Sequence, residues 1–269
     1  MTVLDDLGRH VPIEPPPRRI VSLVPSITEL LFWLGLGERV VGVTRYCTEP
    51  ANRVARIEKF GGTKNPDLGA IAKVAPDLVL ANAEENRIED FAALEGGGLR
   101  VYVTFPRSVV GFANGLERLG VLLQASIPCR KLQRQIHWSL RQVSAGPPPV
   151  RAFVPIWKNP WMSFNHDTFA SDVLQSAGAI NVCSGFESRY PNCDLERVAN
   201  ADPEVILLPS EPYRFQRKDL LDLAPLRGTT AVRSGRVYFV DGKALSWFGP
   251  RTPAALRYFA NLLRREPSQ

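Results

Sequence analysis

The sequence predicts an α/β protein of two similar lobes, each with a mainly parallel sheet flanked by helices, bridged by one long rigid α-helix. Residues 67–84 and 194–211 align without a gap and are identical at six positions, beginning with Asp67 and Asp194. A segment that recurs at half the chain length favours two lobes, because solenoids need three or more short repeats. Strands alternate with helices in both halves, which is typical of parallel sheets with covered faces. Two lobes also predict a ligand cleft between them.

The first half begins with a Pro-rich lead-in and then alternates between strands and helices. The run IVSLV is apolar enough for a fully buried strand, and Pro25 ends it. The segment Ser26-Ile27-Thr28-Glu29 has the pattern of a capping box, which predicts a helix start. The predicted elements are a strand at 20–24, a helix at 26–35, a strand at 40–44, the helix and strand of the first repeat copy, a helix near 86–96, a strand at 100–105 and a helix near 108–120.

Residues 126–145 predict one long amphipathic helix between the repeat copies. Leu132, Ile136, Leu140 and Val143 share one face, and arginine and glutamine side chains fill the others. The second half then predicts a strand at 151–157, a helix from about 168 to 177, the second repeat copy, a strand at 236–241 and a helix at 252–264. These elements predict an N-terminal lobe at 1–124, a connecting helix at 125–146 and a C-terminal lobe at 147–269.

Composition is that of an ordinary globular protein and argues against two classes of partner. The chain is 45% hydrophobic and 22% charged, with a net charge of +6. Its basic residues are scattered and form no run interleaved with aromatics, so nucleic acid is not an expected partner. Four cysteines show no zinc-type spacing, and for Cys183 and Cys193 both a disulfide and reduced, packed thiols stay open.

The first residues bear on the compartment. They lack the apolar core of a signal peptide, and no run approaches 18 apolar residues. The sequence as written therefore predicts a cytoplasmic protein that does not span a membrane. If an export segment is missing from it, the expectation changes to a periplasmic or cell-surface protein.

Several motifs together resemble a known family. The segments RIVSLVPSITELLFWLGLGERVVGVTRYC, GGTKNPD and APDLVLAN, with the long central helix, resemble the helical-backbone (class III) substrate-binding proteins of ABC importers. Within it the chain is most similar to cobalamin-binding proteins, with iron-siderophore and heme receptors as relatives. The resemblance implies a monomer that binds cobalamin, heme or a ferric siderophore between its lobes, requires no cofactor, performs no catalysis and has an ABC permease as partner.

The resemblance also implies where a permease would dock. In cobalamin-binding proteins a Glu on each lobe contacts arginines of the transporter. Alignment through the repeat puts the C-lobe acid at Glu196 and its N-lobe counterpart at Gly69. Glu196 is also explained as a first-turn acid that complements the helix dipole. With one of the two acids missing, coupling to a permease stays open.

Candidate ligand-binding residues follow from where the strands end. In open parallel sheets, ligands bind at the loops beyond the carboxyl ends of the strands. Tryptophans in such loops offer flat apolar faces that suit a corrin, a porphyrin or a catecholate, although packing on their own lobe explains them too. The predicted set is Ser26, Arg45, Tyr46, Glu84, Glu85, Asn86, Arg87, Trp157, Trp161, Asp167, Tyr190, Glu211, Tyr213, Trp247 and Arg251.

Two further residues are candidates for the metal of a bound macrocycle. Cys47 follows the strand at 40–44, and His166 lies in the loop after the strand at 151–157. Thiolate and imidazole groups are suitable ligands for transition metals. A single cysteine is more often simply packed in the interior.

Two alternative functions stay open at this stage. One is a cytoplasmic ligand carrier or sensor of the same fold that never meets a permease. The other is a cytoplasmic enzyme, because two carboxylates such as Glu84 and Glu211 could perform acid–base chemistry. No nucleophile–base pair or phosphate-binding glycine loop supports the enzyme, so binding without catalysis is the leading hypothesis.

Overall fold

Two compact units, each built around its own parallel sheet, make up the computed structural model, which describes residues 1–143 and 148–264. The first unit consists of Met1–Pro106, Val110–Arg134 and Phe248–Pro250, and the second of Arg107–Val109, Gln135–Trp247 and Arg251–Gln269. The predicted α/β class with two lobes and parallel sheets is confirmed. The lobe boundaries predicted at 124/125 and 146/147 stay a prediction.

The first unit contains a five-stranded parallel sheet in the order β5-β4-β3-β6-β7 and a separate antiparallel hairpin, β1-β2. Its central strands are almost wholly apolar because parallel strands are buried on both faces. The elements of this half are β1 (Thr2–Leu4), β2 (His10–Pro12), β3 (Ile20–Ser22), α1 (Pro25–Trp33), a 3₁₀ helix (Gly37–Arg39), β4 (Val40–Val43), α2 (Ala51–Val54), β5 (Glu58–Lys59), α3 (Leu68–Lys73), β6 (Leu78–Asn82), α4 (Ile88–Gly96), β7 (Val101–Thr104) and α5 (Val109–Leu122).

The Pro-rich lead-in contains a hairpin that the sequence analysis did not predict. Asp5 is buried, and its carboxylate accepts the N–H groups of Leu7 and Arg9, which holds the turn. The Asp6 N–H donates to the Val103 carbonyl at 3.0 Å, and the Asp6 carboxylate accepts the Phe105 N–H at 2.8 Å. The two aspartates therefore fix the hairpin to the end of the sheet.

The capping box predicted at Ser26–Glu29 is wrong. Helix α1 begins at Pro25, and its N-cap is Val24, which makes no side-chain capping bond. Proline fits the first helical position because it has no N–H to lose there and its backbone angle is already helical. The start of this helix is therefore set by Pro25, one residue earlier than the box predicted.

The second unit contains a four-stranded parallel sheet in the order β11-β10-β8-β9. Its core gathers Phe153, Ile206, Leu208, Phe215 and Leu226. Its elements are β8 (Val150–Phe153), α7 (Phe169–Ala177), β9 (Ala179–Asn181), α8 (Leu195–Asn200), β10 (Val205–Pro209), a 3₁₀ helix (Arg217–Leu226), α9 (Thr230–Arg233), β11 (Val237–Val240), α10 (Gly242–Ser246) and α11 (Thr252–Leu263).

The predicted long central helix is present as α6 (Ser126–Val143). Leu132, Ile136 and Val143 are buried along one face, as the amphipathic pattern predicts. The helix was predicted to run to residue 145, and residues 144 and 145 lie outside the described residues. Residues up to Arg134 belong to the first unit, and those from Gln135 on belong to the second.

None of the helices in residues 1–143 and 148–264 is both long and apolar enough to cross a membrane.

Candidate functional site

The loops beyond β3 and β4 carry the first predicted residues of the first unit. Ser26 is buried in the first turn of α1, and its Oγ has no hydrogen-bond partner among the described residues. Arg45 and Tyr46 are both exposed, and the Arg45 guanidinium lies 5.8 Å from the centre of the Tyr46 ring. This pair offers an apolar face and a positive charge on the surface of the unit.

Asn86 holds the loops of this unit together. Its side-chain amide donates to the carbonyls of Leu23 at 3.3 Å and Thr63 at 2.8 Å, and its Oδ1 accepts the Asn82 N–H at 2.9 Å. Asn82 in turn accepts the N–H groups of residues 84 and 85. The predicted ligand residue Asn86 is thus a buried scaffold for three loops.

The other predicted residues of this loop divide into two kinds. Glu84 and Glu85 are half-buried, and their backbone N–H groups are fixed by Asn82. Arg87 pairs with Asp90 at 2.8 Å at the start of α4. Arg87 is the N-cap residue of α4, and an ion pair with the first turn of that helix accounts for its position.

The second unit brings four aromatic rings together. The Trp157 and Tyr213 ring centroids lie 5.8 Å apart, those of Tyr213 and Phe215 lie 4.8 Å apart, and Trp161 stacks on Phe215 at 5.9 Å. We call these four residues the aromatic cluster. Trp157 remains 43% exposed, so a large ring face is available on a packed support.

Two ion pairs of Lys158 fix the aromatic cluster from one side. Lys158 contacts the carboxylates of Asp219, at 2.6 Å, and Asp222, and Asp219 also accepts the Tyr213 hydroxyl at 3.2 Å. The hydrogen bonds that Lys158 donates, first to Asp219 and then to Asp222, raise the pKa of Lys158. Burial alone would raise the pKa of Asp219, but the hydrogen bond from Lys158 and further donors lower it. Both groups stay charged, and Tyr213 keeps one orientation.

Asp167 lies between two arginines of the same unit. Arg107 contacts one carboxylate oxygen at 2.5 Å, and Arg189 contacts the other at 2.5 Å. Both carboxylate oxygens of the predicted acid Asp167 are therefore paired with arginines. Tyr190, next to Arg189 in the chain, is 41% exposed.

His166 is exposed beside this group and has a defined proton position. Its Nδ1 lies 2.9 Å from the Ser184 carbonyl oxygen, which can only accept. The proton therefore sits on Nδ1, which leaves the Nε2 lone pair available in the neutral ring.

A third group in the second unit surrounds Trp247. The indole donates a hydrogen bond to Glu211, and the cations of Lys243 and Arg251 lie 5.0 Å and 5.5 Å from its ring centre. Burial raises the pKa of Glu211, and the two cations oppose that rise only in part. A Cβ on Gly242 would come within 2.5 Å of the Glu211 backbone nitrogen, so this close approach needs glycine.

Cys47 has a packed thiol rather than an open metal ligand. It is 1% exposed, and its sulfur lies 3.1 Å and 3.2 Å from the hydroxyls of Thr28 and Thr44. Burial raises its pKa, which disfavours the thiolate that metals require. Within residues 1–143 and 148–264 no group of three or more histidine, cysteine or acidic side chains could hold a metal ion. The structure therefore gives the metal prediction for Cys47 no support.

The two positions compared for docking lie in matching places. Glu196 is exposed in the first turn of α8, behind the N-cap Asp194. Gly69 is exposed in the first turn of α3, behind the N-cap Asp67. Glu196 is therefore accessible on its own unit.

Sequence reasoning missed six residues that shape these groups, namely Arg107, Lys158, Arg189, Phe215, Asp219 and Lys243. Lys158 and Asp219 are 61 positions apart, and no local pattern links them. A weak signal existed for Phe215, since Tyr213 and Phe215 alternate in the loop after the second repeat copy.

Parallel α/β units whose loops carry an aromatic cluster and a cation-flanked tryptophan are typical of ligand-binding proteins of the two-lobed α/β class. The family model described as periplasmic binding protein matches residues 20–244. The chain belongs to this family, which confirms the resemblance seen in its motifs.

Relatives of known type agree with this membership. The vitamin B12-binding protein of Vibrio cholerae serotype O1 is 26% identical over 194 residues, which are 71% of this chain and 70% of the relative. The periplasmic heme-binding protein BhuT, solved in complex with two hemes, matches with a TM-score of 0.80 at 26% identity, over 91% of this chain and 97% of BhuT. The vitamin B12-binding protein BtuF of Vibrio cholerae matches with a TM-score of 0.77 at 23% identity, over 93% and 97% of the chains.

Proposed function

We propose that this protein binds a metal-containing or metal-chelating small molecule, with a corrinoid first, as the substrate-binding component of an ABC importer. The observation that carries the proposal is the aromatic cluster with its exposed Trp157 face. A flat macrocycle packs well against such a face, and a braced ring loses little freedom on binding. The names of the relatives, which bind vitamin B12 and heme, support the same ligand class.

The positively charged side chains near Trp247 and Asp167 support a ligand with anionic groups. Lys243 and Arg251 flank Trp247 beside the acids Glu211 and Asp241, and Arg107 and Arg189 both contact Asp167. Carboxylates or a phosphate at the edge of a macrocycle would pair with these cations. This chemistry fits both the phosphate of cobalamin and the propionates of heme.

His166 is the candidate ligand for the metal of a bound macrocycle. Its Nδ1 proton is held by Ser184, so Nε2 could coordinate a metal at an open axial position. This role is independent of the aromatic contacts and would appear in the absorption spectrum.

The test is a titration of the purified chain with cyanocobalamin, hemin and a ferric catecholate, followed by calorimetry and absorption. We expect saturable one-to-one binding of one of them with a Kd below about 1 μM. A lack of response to all three would overturn the proposal. Trp157→Ala should weaken binding, and Trp138→Ala should not, since Trp138 is similarly exposed but lies on α6. A spectral change lost in His166→Ala and kept in His137→Ala would assign the metal ligand.

The role in import rests on Glu196. Its exposed place in the first turn of α8 suits contact with an arginine of a permease. A role without catalysis is supported by the relatives, which are binding proteins, and unchanged ligand after prolonged incubation would agree with it. The family name supports a periplasmic location, and cell fractionation with an antibody would test it.

A further inference from the structure

Two cysteines of the second unit face each other without being bonded. The sulfurs of Cys183 and Cys193 lie 3.4 Å apart, and both residues are buried and free. The other two cysteines of the chain, Cys47 and Cys129, are also free but belong to the first unit.

The backbone on both sides holds the two sulfurs in place. The Cys183 N–H donates to Asn181 Oδ1 at 3.3 Å, and the amide of Asn181 donates to Ser163 Oγ and the Phe164 carbonyl. The Cys193 N–H donates to the Trp161 carbonyl at 2.7 Å. Since both backbones are fixed, the two sulfurs stay close enough to react with little movement.

A small cavity is lined by one residue of the pair, Cys183. It has a volume of about 150 Å³, and Cys183, Phe186 and Arg197 are among its lining residues. Cys193 does not line it. The Arg197 guanidinium lies 4.2 Å from the centre of the Phe186 ring, which puts a positive charge at the cavity wall. Of the two cysteines, Cys183 is therefore the one nearer to this cavity.

The electrostatics of the pair also favour Cys183 over Cys193 as the sulfur that reacts first. The hydrogen bond from the Cys193 thiol lowers the pKa of Cys183, and the charge of Arg197 acts in the same direction. The same hydrogen bond raises the pKa of Cys193, and burial adds to the rise. Of the two thiols, Cys183 is therefore the one that loses its proton more readily, and the thiolate is the nucleophilic form.

We propose that Cys183 and Cys193 form a reversible dithiol–disulfide site, at which a small anionic disulfide is the oxidant and Cys183 is the attacking sulfur. The Cys183 thiolate attacks one sulfur of the oxidant, whose S–S bond breaks, and one small thiolate leaves. A mixed disulfide remains on Cys183. Cys193 then loses its proton and attacks Cys183, which releases the second small thiolate. The cysteine pair is oxidised by two electrons, the oxidant becomes two thiols, and these take up the two protons of the cysteines.

The disulfide would close a ring around a loop that carries functional groups. Residues 184–192 include the Ser184 carbonyl that orients His166, and Arg189, which contacts Asp167. Cross-linking residues 183 and 193 would restrict this loop in partly unfolded states. The oxidised protein should therefore resist proteolysis within residues 184–192 more than the reduced protein does.

The experiment uses the whole native chain in buffers of glutathione and glutathione disulfide at increasing ratios. After an acid quench, free thiols are blocked under denaturing conditions, and intact mass and peptide maps are recorded. We expect a loss of the mass of two hydrogen atoms and a cross-linked peptide that joins Cys183 to Cys193, with Cys47 and Cys129 blocked. A folded protein whose four thiols all stay free at the most oxidising ratio would overturn the proposal, and so would a disulfide to another cysteine.

Two single variants test the order of attack. Cys193→Ser should accumulate glutathione on Cys183, whereas Cys183→Ser should acquire less than about a tenth as much on Cys193. Equal labelling of both would show that Cys183 is not the attacking sulfur. Circular dichroism checks that each variant is folded, and the peptide map of the unmodified chain decides the disulfide itself if a variant is not. Neither readout uses the small-molecule ligand proposed above.

Discussion

The two copies of the repeat form the same structure in both units. Helices α3 and α8 each have six residues, begin after an aspartate N-cap and lead into five-residue strands β6 and β10, which are fully buried. Even the backbone irregularity is shared, because Ala75 and Asp202 occupy matching positions and both have a positive φ, of 43° and 45°. A cap, a turn and an apolar run therefore suffice to specify this element twice.

The copies differ where the strands end. Beyond β6, side-chain amides of Asn82 and Asn86 tie loops together with hydrogen bonds. Beyond β10, Tyr213 and Phe215 build the aromatic cluster. The comparison teaches that the repeat preserves the scaffold, whereas each unit has its own loop chemistry: polar and rigid in the first, aromatic and cationic in the second.

Removal of the Asn86 amide should destabilise the loops of the first unit. Asn86→Ala leaves the Leu23 and Thr63 carbonyls and the Asn82 N–H without their partner inside the unit. Unsatisfied buried groups cost about 1–3 kcal/mol each, so we expect a loss of about 3 kcal/mol in the free energy of unfolding, measured with urea. Asn200→Ala, at an exposed position of α8, should change it by less than about 0.5 kcal/mol. A loss below about 1 kcal/mol in Asn86→Ala would show that the loops do not depend on it.

Trp157 in the second unit should contribute more free energy to ligand binding than Tyr46 in the first unit. Trp157→Ala removes the exposed face of the aromatic cluster, and burial of such a ring is worth about 2 kcal/mol, so Kd should rise about thirtyfold. Tyr46→Ala should raise Kd only about threefold, because Tyr46 is 55% exposed and has Arg45 as its ring contact. Calorimetry with whichever of the three titrated ligands binds would measure both. Equal losses would contradict the assignment of the aromatic half as the stronger contributor.

An acid introduced at position 69 tests the proposed docking to a permease. A Cβ on Gly69 would meet only Asp67 Oδ1, at 3.5 Å, so Gly69→Glu fits and should change the free energy of unfolding by less than about 0.5 kcal/mol. We expect it to raise ligand-dependent ATP hydrolysis by a reconstituted importer about threefold, a little under 1 kcal/mol of added contact. Glu196→Gln should lower the same rate, and Glu89→Gln, in the first turn of α4, should not. Unchanged rates in both docking variants would remove the basis for docking through these helices.

The smallest expected effect concerns the pH dependence of Glu211. Its pKa is raised in the folded unit by burial, so the folded state binds its proton more tightly than the unfolded state does. Stability from this group is present below the ordinary value of 4.5 and is lost as pH rises through the folded pKa. Glu211→Gln should therefore melt about 1–3 °C higher than the parent above that window and show no such gain below it. Calorimetric melting curves recorded below and above this pH window would check the prediction. An equal shift in melting temperature on both sides would contradict burial of Glu211 as the cause.

Local sequence patterns predicted the helices and strands of the two units. Contacts between residues far apart in the chain could not be predicted in this way. The helix and the buried strand Leu78–Asn82 of the first repeat copy are visible in sequence because neighbouring residues specify them. The hairpin of residues 2–12 was missed because the prolines after it masked its short strands. Asn86 was predicted to contact ligand, but its type alone does not separate a ligand contact from a scaffold. The roles of the predicted ligand residues stay a prediction.

The aspartates that fix the N-terminal hairpin also protect the protein from association. Strand β7 is the last strand of its sheet, and an open sheet edge is a template for pairing with another chain. The Asp6 N–H occupies the Val103 carbonyl, and the Asp5 carboxylate accepts the Val103 N–H. A protease that trims the first twelve residues would uncover this edge and favour sheet-to-sheet aggregation.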